Sequence, residues 1–129
     1  MTLSPKGLHH VSIVVTDLNR SLTFYCGILG LSQIVRPPFD FEGAWLEVGD
    51  QAIHLLVNPK GQTLRADGSI DGRDGHFAFG VDRYSRVKHL LEDAGVVCRG
   101  NPGSITGRAQ IFCCDPDGNV LEFNCDSAE

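Results

Sequence analysis

The chain states one order of elements twice. Leu8 to Thr16 is rich in β-branched residues and reads as a strand. Asp17 can cap a helix running through Leu18, Leu22, Tyr25 and Leu29, spaced three or four apart, with Gly30 to end it. Leu31 to Arg36 reads as a second strand, stopped by Pro37-Pro38, and Ala44 to Val48 with Gln51 to Val57 as a hairpin about Gly49-Asp50. The same sequence of signals then returns. Gly75 to Val81 is a strand, Asp82 a cap, and Val87, Leu90, Leu91 and Ala94 a helical stripe closed by Gly95. Val96 to Arg99 and a hairpin of Gln110 to Asp115 and Asn119 to Cys125, turned by Pro116-Asp117-Gly118, complete it. The expected fold is α+β, two tandem βαβββ modules at about 7–57 and 75–125. A polar, glycine-containing stretch, 58–74, links them within one domain of 129 residues.

Composition removes several classes of function. Lysine and arginine number 11 against 16 acids, a net charge of −5, so the chain has no global attraction for a phosphate backbone. Apolar runs such as Ile13-Val14-Val15 are too short to span a bilayer, and Met1 to Gly7 has no charged-then-apolar leader pattern. The expectation is a cytoplasmic protein that meets neither nucleic acid nor membrane. The five cysteines, an odd number without C-x-x-C spacing, point to reduced thiols. Cys113 and Cys114 are neighbours in a strand and should face opposite sides.

Strand alternation assigns the chemistry to one face. Val11, Ile13 and Val15 should pack beneath the first helix, leaving His10, Ser12 and Val14 opposite. Phe77, Phe79 and Val81 do the same in the second module, leaving His76, Ala78 and Gly80. Ile53 and Leu55 turn inward and His54 outward, while Leu121 and Phe123 turn inward and Glu122 outward. His10 and His76 lie 66 residues apart, positions 10 to 76, and His54 and Glu122 lie 68 apart, positions 54 to 122. Turn register sets Trp45 opposite His54 and Phe112 opposite Glu122. A lone strand histidine is more often a satisfied polar residue than a ligand. Four such residues at matching places are the donor set for a divalent ion: Zn, Ni, Co, Mn or Fe(II). Trp45, Phe112 and Ser12 on the same face are candidate substrate contacts. His9 falls on the other face or at the strand's open end, and His89 sits beside Lys88 on a helix.

Several segments carry a family resemblance: Leu8-His9-His10-Val11, Leu29-Gly30-Leu31, Ala52-Ile53-His54-Leu55, Gly75-His76-Phe77-Ala78 and Asp115-Pro116-Asp117-Gly118-Asn119-Val120-Leu121-Glu122. Together they resemble the vicinal oxygen chelate superfamily of glyoxalase I, bleomycin-resistance proteins and extradiol dioxygenases. The stretch Arg36 to Leu46 is similar to short glyoxalase-I-like proteins. The resemblance implies paired modules curving into a metal-holding cup, helices outside, in a homodimer. His10 and His54 would come from one subunit and His76 and Glu122 from the other. Two departures stand against a glutathione adduct as substrate. His54 occupies a position commonly glutamate in glyoxalase I, and Val14 replaces an arginine used there for glutathione. Phe112 stands where fosfomycin-modifying enzymes carry tyrosine.

Ligand count selects between chemistries. Four protein donors on an octahedral ion leave two positions for neighbouring oxygens of a small substrate, which suits lyase or isomerase chemistry through an enediolate-like intermediate. Glu122 would then move the proton. With His54 outside the ligand set, a two-histidine, one-carboxylate triad suits an Fe(II) extradiol-type dioxygenase. A third alternative is a bleomycin-resistance-like binding protein without turnover. Asp67 to Gly72 imitates a calcium loop, but its twelfth position is Ala78. Arg65 and Arg73 in the linker are candidates to meet an anionic substrate, and so long a linker can act as a lid.

Overall fold

A computed structural model describes all residues, 1–129. The chain forms two compact units, Met1–Thr63 and Leu64–Glu129, so the division falls inside the stretch read as a linker. Unit 1 contains β1 (His10–Val15), α1 (Leu18–Leu22), a π-helical continuation Thr23–Ile28, β2 (Ser32–Ile34), β3 (Gly43–Val48) and β4 (Gln51–Val57). Unit 2 contains β5 (His76–Arg83), α2 (Tyr84–Asp93), β6 (Cys98–Asn101), β7 (Ala109–Cys114) and β8 (Val120–Ser127). Each unit is one mixed four-stranded sheet, ordered β1-β4-β3-β2 and β5-β8-β7-β6. The first strand runs parallel to the last, and the other neighbours are antiparallel. This is the tandem α+β arrangement that the repeated signals imply. No helix is long and apolar enough to cross a membrane.

The inward faces follow the alternation. Ile13, Val15, Ala44, Leu46, Ile53 and Leu55 are buried in unit 1, and Phe79, Ile111, Cys113, Leu121, Phe123 and Cys125 in unit 2. Cys113 is inside and Cys114 half-buried on the other side, and all five cysteines are free thiols. Burial pushes the Cys113 thiol up to about 12.

The helices depart from regular expectation at their ends. Asp17 caps α1 as its position implies, accepting from the Arg20 amide at 3.1 Å. From Thr23 the helix widens, and the Leu29 amide reaches back five residues to the Phe24 carbonyl at 3.0 Å. Within this stretch the adjacent Phe24 and Tyr25 are both buried, edge to face with centroids 5.0 Å apart. Regular α geometry would separate those neighbours by about 100°. In unit 2 the expected cap, Asp82, is still strand, because β5 stays paired with β8 as far as Arg83 and Ser127. Arg83 therefore holds the cap position without a side-chain bond, and the free Ser85 amide is met by the Glu129 carbonyl at 2.9 Å. Of the α2 stripe only Leu91 is fully buried, whereas Leu90 is 40% exposed. The C-terminus of α2 closes with Gly95 at φ +72°, its amide on the Glu92 carbonyl and that of Val96 on the Leu91 carbonyl. That reversal consumes Val96, so β6 begins at Cys98 rather than at Val96.

Candidate metal centre

In unit 1, β4 lies between β1 and β3, with Ser12 and Trp45 both opposite His54 in register. His10 sits two residues before Ser12, and its ring leans along the strand to stack on His54 at 4.0 Å and 19°. Trp45 stacks on His54 from the β3 side at 4.1 Å and 5°. His54 is thus buried between two rings, while His10 is exposed at the first residue of its strand. His9 is exposed beside it, with the two Nδ1 atoms 2.9 Å apart. Burial, followed by the charges of His10, His9 and Arg36, pushes the His54 imidazole below its ordinary value. The neutral ring keeps a lone pair, which is the form that binds metal. Ser12 is exposed next to it.

Unit 2 repeats the placement with a carboxylate. Ala78 is opposite Glu122, as Ser12 is opposite His54, and His76 again stands two residues earlier. His76 Nε2 lies 3.1 Å from Glu122 Oε1, with the side chains 23% and 9% exposed. On its other edge, His76 Nδ1 is 2.7 Å from the Asp74 carbonyl oxygen. A carbonyl only accepts, so Nδ1 carries the proton and donates. Glu122 Oε2 accepts from the Asn124 side-chain amide at 3.2 Å and from that of Gln110 at 3.4 Å. Phe112 is opposite Glu122 in register and meets His76 edge to face at 5.4 Å. Its ring is already faced by Gly72, where a Cβ would stand 3.1 Å from Phe112 Cζ.

The donors suit a divalent ion. Metal–nitrogen and metal–oxygen bonds of about 2.1 Å put donors at right angles roughly 3.0 Å apart, close to the His76–Glu122 separation. A histidine whose second nitrogen donates to a carbonyl is the usual form of a metal-ligating histidine. In unit 1 the chemistry fits but the rings lie nearly parallel, so their in-plane lone pairs run side by side. One ring must turn for both to meet one ion, and the exposed His10 is free to do so while His54 is clamped. Within either unit, no group of three or more His, Cys, Asp or Glu side chains is gathered to hold a metal.

Two partners of Glu122 were not singled out from the sequence as site residues. Gln110 and Asn124 share its face by the two-residue period, Gln110 across from Asn124, and that period was the signal available. Asp74 acts through its main chain, which no motif marks. The linker's two arginines divide. Arg73 is exposed, with Asp71 as its partner. Arg65 is engaged inside unit 2, donating to the Gly118 carbonyl at 2.8 Å and pairing with Asp74 at 3.2 Å.

Comparison with known proteins gives the family and the fold. The model of the Glyoxalase/Bleomycin resistance protein/Dioxygenase superfamily matches residues 7–123, and the chain belongs to that family. It is 37% identical over 125 residues to "Glyoxylase I 4" of Arabidopsis thaliana, covering 93% of this chain and 71% of that one. It is 30% identical over 125 residues to "Glutathione transferase FosA" of Serratia marcescens, covering 95% and 82%. A glyoxalase/dioxygenase from Nostoc punctiforme has the same fold, with a TM-score of 0.76 at 22% identity over 98% of this chain and 97% of the other.

Proposed function

We propose that the protein is a divalent-metal-dependent, glyoxalase-like enzyme of lyase or isomerase type. It acts on a small substrate with neighbouring oxygens, and it works as a homodimer. The observation that carries this reading is the matched placement of two donor pairs. His10 with His54, and His76 with Glu122, occupy the same two register positions of two equivalent sheets. Each pair supplies two of the four protein donors of an octahedral ion, and neither unit gathers a third donor of its own. In the homodimer, His10 and His54 of one chain would share an ion with the partner subunit's His76 and the partner subunit's Glu122. The relative called "Glyoxylase I 4" supports the reaction class.

The bound ion would supply Lewis acidity, polarising a substrate carbonyl. The protein's own part is proton transfer and exclusion of water. Glu122 is the base: its Oε2 is steadied by Asn124 and Gln110, and its Oε1, swung free of the ion, would take a proton from the carbon beside that carbonyl. His76 and Phe112 wall one side of the carboxylate, and Trp45 with Ser12 forms the corresponding surface of unit 1. The test is metal content after stripping and reconstitution, with deuterium exchange from solvent into an α-hydroxycarbonyl compound. Retained metal and exchange in the native protein, with exchange abolished in Glu122→Gln, is the expected result. A native protein that retains no divalent ion contradicts the proposal.

A second reading has one observation of its own. The near-parallel stack keeps His54 wedged between His10 and Trp45, as expected of a residue outside the ligand set. His10, His76 and Glu122 would then form the triad of an Fe(II) dioxygenase. Full metal occupancy in His54→Ala, together with oxygen uptake on a catechol, would favour it.

A further inference from the structure

Arg65 lies in the stretch 58–74, read from the sequence as a linker, and its contacts lie within unit 2. Arg65, with its side chain only 20% exposed, sends one guanidinium nitrogen to the Gly118 carbonyl at 2.8 Å and toward Cys114 Sγ at 3.8 Å. The other nitrogen meets Asp74 Oδ2 at 3.2 Å and Ser69 Oγ at 3.3 Å. Gly118 is the last residue of the turn that leads into β8, and Asp74 is the second residue before β5. Those two strands carry Glu122 and His76. Backbone contact reinforces the link, because a Cβ on Gly118, at φ +84°, would stand 3.2 Å from the Asp67 carbonyl. The Cys114 thiol also donates to the Gly68 carbonyl at 3.4 Å.

The chain of contacts continues to the donor atoms. The Asp74 carboxylate accepts from the Gly75 amide at 3.2 Å as well as from Arg65, so its residue is held at both ends. Its carbonyl then receives the His76 Nδ1 proton at 2.7 Å, which leaves Nε2 facing Glu122. We infer that Arg65 is a positioning residue. It fixes the carbonyl that orients the His76 ring and ties it to the turn that delivers Glu122, so the two donors are spaced before an ion arrives. This rests on the metal reading above only for its consequence in affinity. The positioning itself is a property of the metal-free chain.

The test uses metal-free, full-length protein labelled with nitrogen-15 in histidine. Native protein should show the His76 Nδ1 proton held in a hydrogen bond. Arg65→Met should loosen that bond, shifting the His76 nitrogen resonances, and weaken Co²⁺ binding on the order of 10- to 100-fold, the usual range for residues that orient a ligand. Arg99→Met serves as the control, since Arg99 holds the same segment through the Ile70 carbonyl but not through Asp74. It should leave His76 unchanged. Should Arg65→Met fail to fold, Asp74→Ala reads the same signature, because it removes the anchor and keeps the carbonyl. Unaltered His76 nitrogens in the folded variant, or an equal change in Arg99→Met, overturn the inference. If native protein binds no Co²⁺, the metal reading fails, while the nitrogen spectra still decide the role of Arg65.

Discussion

Unit 1 and unit 2 put polar pairs at the same register positions, yet they secure them by different physics. In unit 2 the pair is held by directional bonds: Asp74 behind His76, and Asn124 and Gln110 behind Glu122. In unit 1 His54 is held by surface contact, pressed between Trp45 and His10, and His10 meets the neighbouring His9 at Nδ1. Directional bonds fix where a lone pair points, while stacking fixes a plane and leaves rotation in it open. The unit 2 pair is therefore preset, and the unit 1 pair keeps an adjustable ring.

The largest effect expected from this contrast is on metal affinity. His76→Ala or Glu122→Gln should weaken Co²⁺ binding by more than about 100-fold, beyond the effect of losing an orienting neighbour. Trp45→Ala should weaken it by about 10-fold or less, because stacking sets a plane rather than a direction. Competition with a chromophoric chelator measures both, and equal losses would erase the distinction between the units.

Next in size is a contrast in the backbone of the two sheets. A Cβ on Gly43 would run into the Leu55 carbonyl, with the Arg36 guanidinium carbon at 3.2 Å, so Gly43→Ala should cost about 1–3 kcal/mol in urea melts. In unit 2 a Cβ on Gly100 meets the hydroxyl of Tyr84, the free end of a side chain that can swing aside. Gly100→Ala should cost clearly less than Gly43→Ala.

How far this contrast could be read in advance differs by level. Sheet register was legible, because a two-residue period and the Gly49 and Gly118 turns leave one pairing for His54 with Trp45 and for Glu122 with Phe112. The placement of His10 and His76 on their sheet face followed for the same reason. Helix ends were less legible. Asp17 caps where its sequence suggests, but Asp82 loses that position to strand pairing contributed by Ser127, far along the chain. The support of the donors was hidden for a similar reason. Asp74 acts through a carbonyl, and Arg65 through contacts with a turn 53 residues away. Main-chain acceptors and distant partners leave no pattern in composition or periodicity.

The caps give a smaller prediction. Asp17→Ala removes a bond to the Arg20 amide and should cost about 1 kcal/mol. Arg83→Ala removes no cap bond and should stay within about 0.5 kcal/mol. Paired thermal melts read the difference. The smallest effect near neutrality belongs to Cys113. Its thiol is raised in the folded chain from 9.0 to about 12, so the folded state holds a proton that the unfolded state gives up. That contribution is complete below about pH 9 and declines as pH climbs toward 12. Melts of native protein should fall faster over this window than those of Cys113→Ala.

The central claim is that each unit supplies two of one ion's four protein ligands, with the two pairs drawn from different chains. It is tested most directly by pairing two variants that are each unable to bind. One carries His10→Ala and His54→Ala, the other His76→Ala and Glu122→Gln, with different tags so that the mixed dimer can be isolated. The account expects no ion in either homodimer and one ion per mixed dimer, where the surviving pairs meet. A mixed dimer without metal, or a homodimer of either variant that keeps the native metal content, would contradict it.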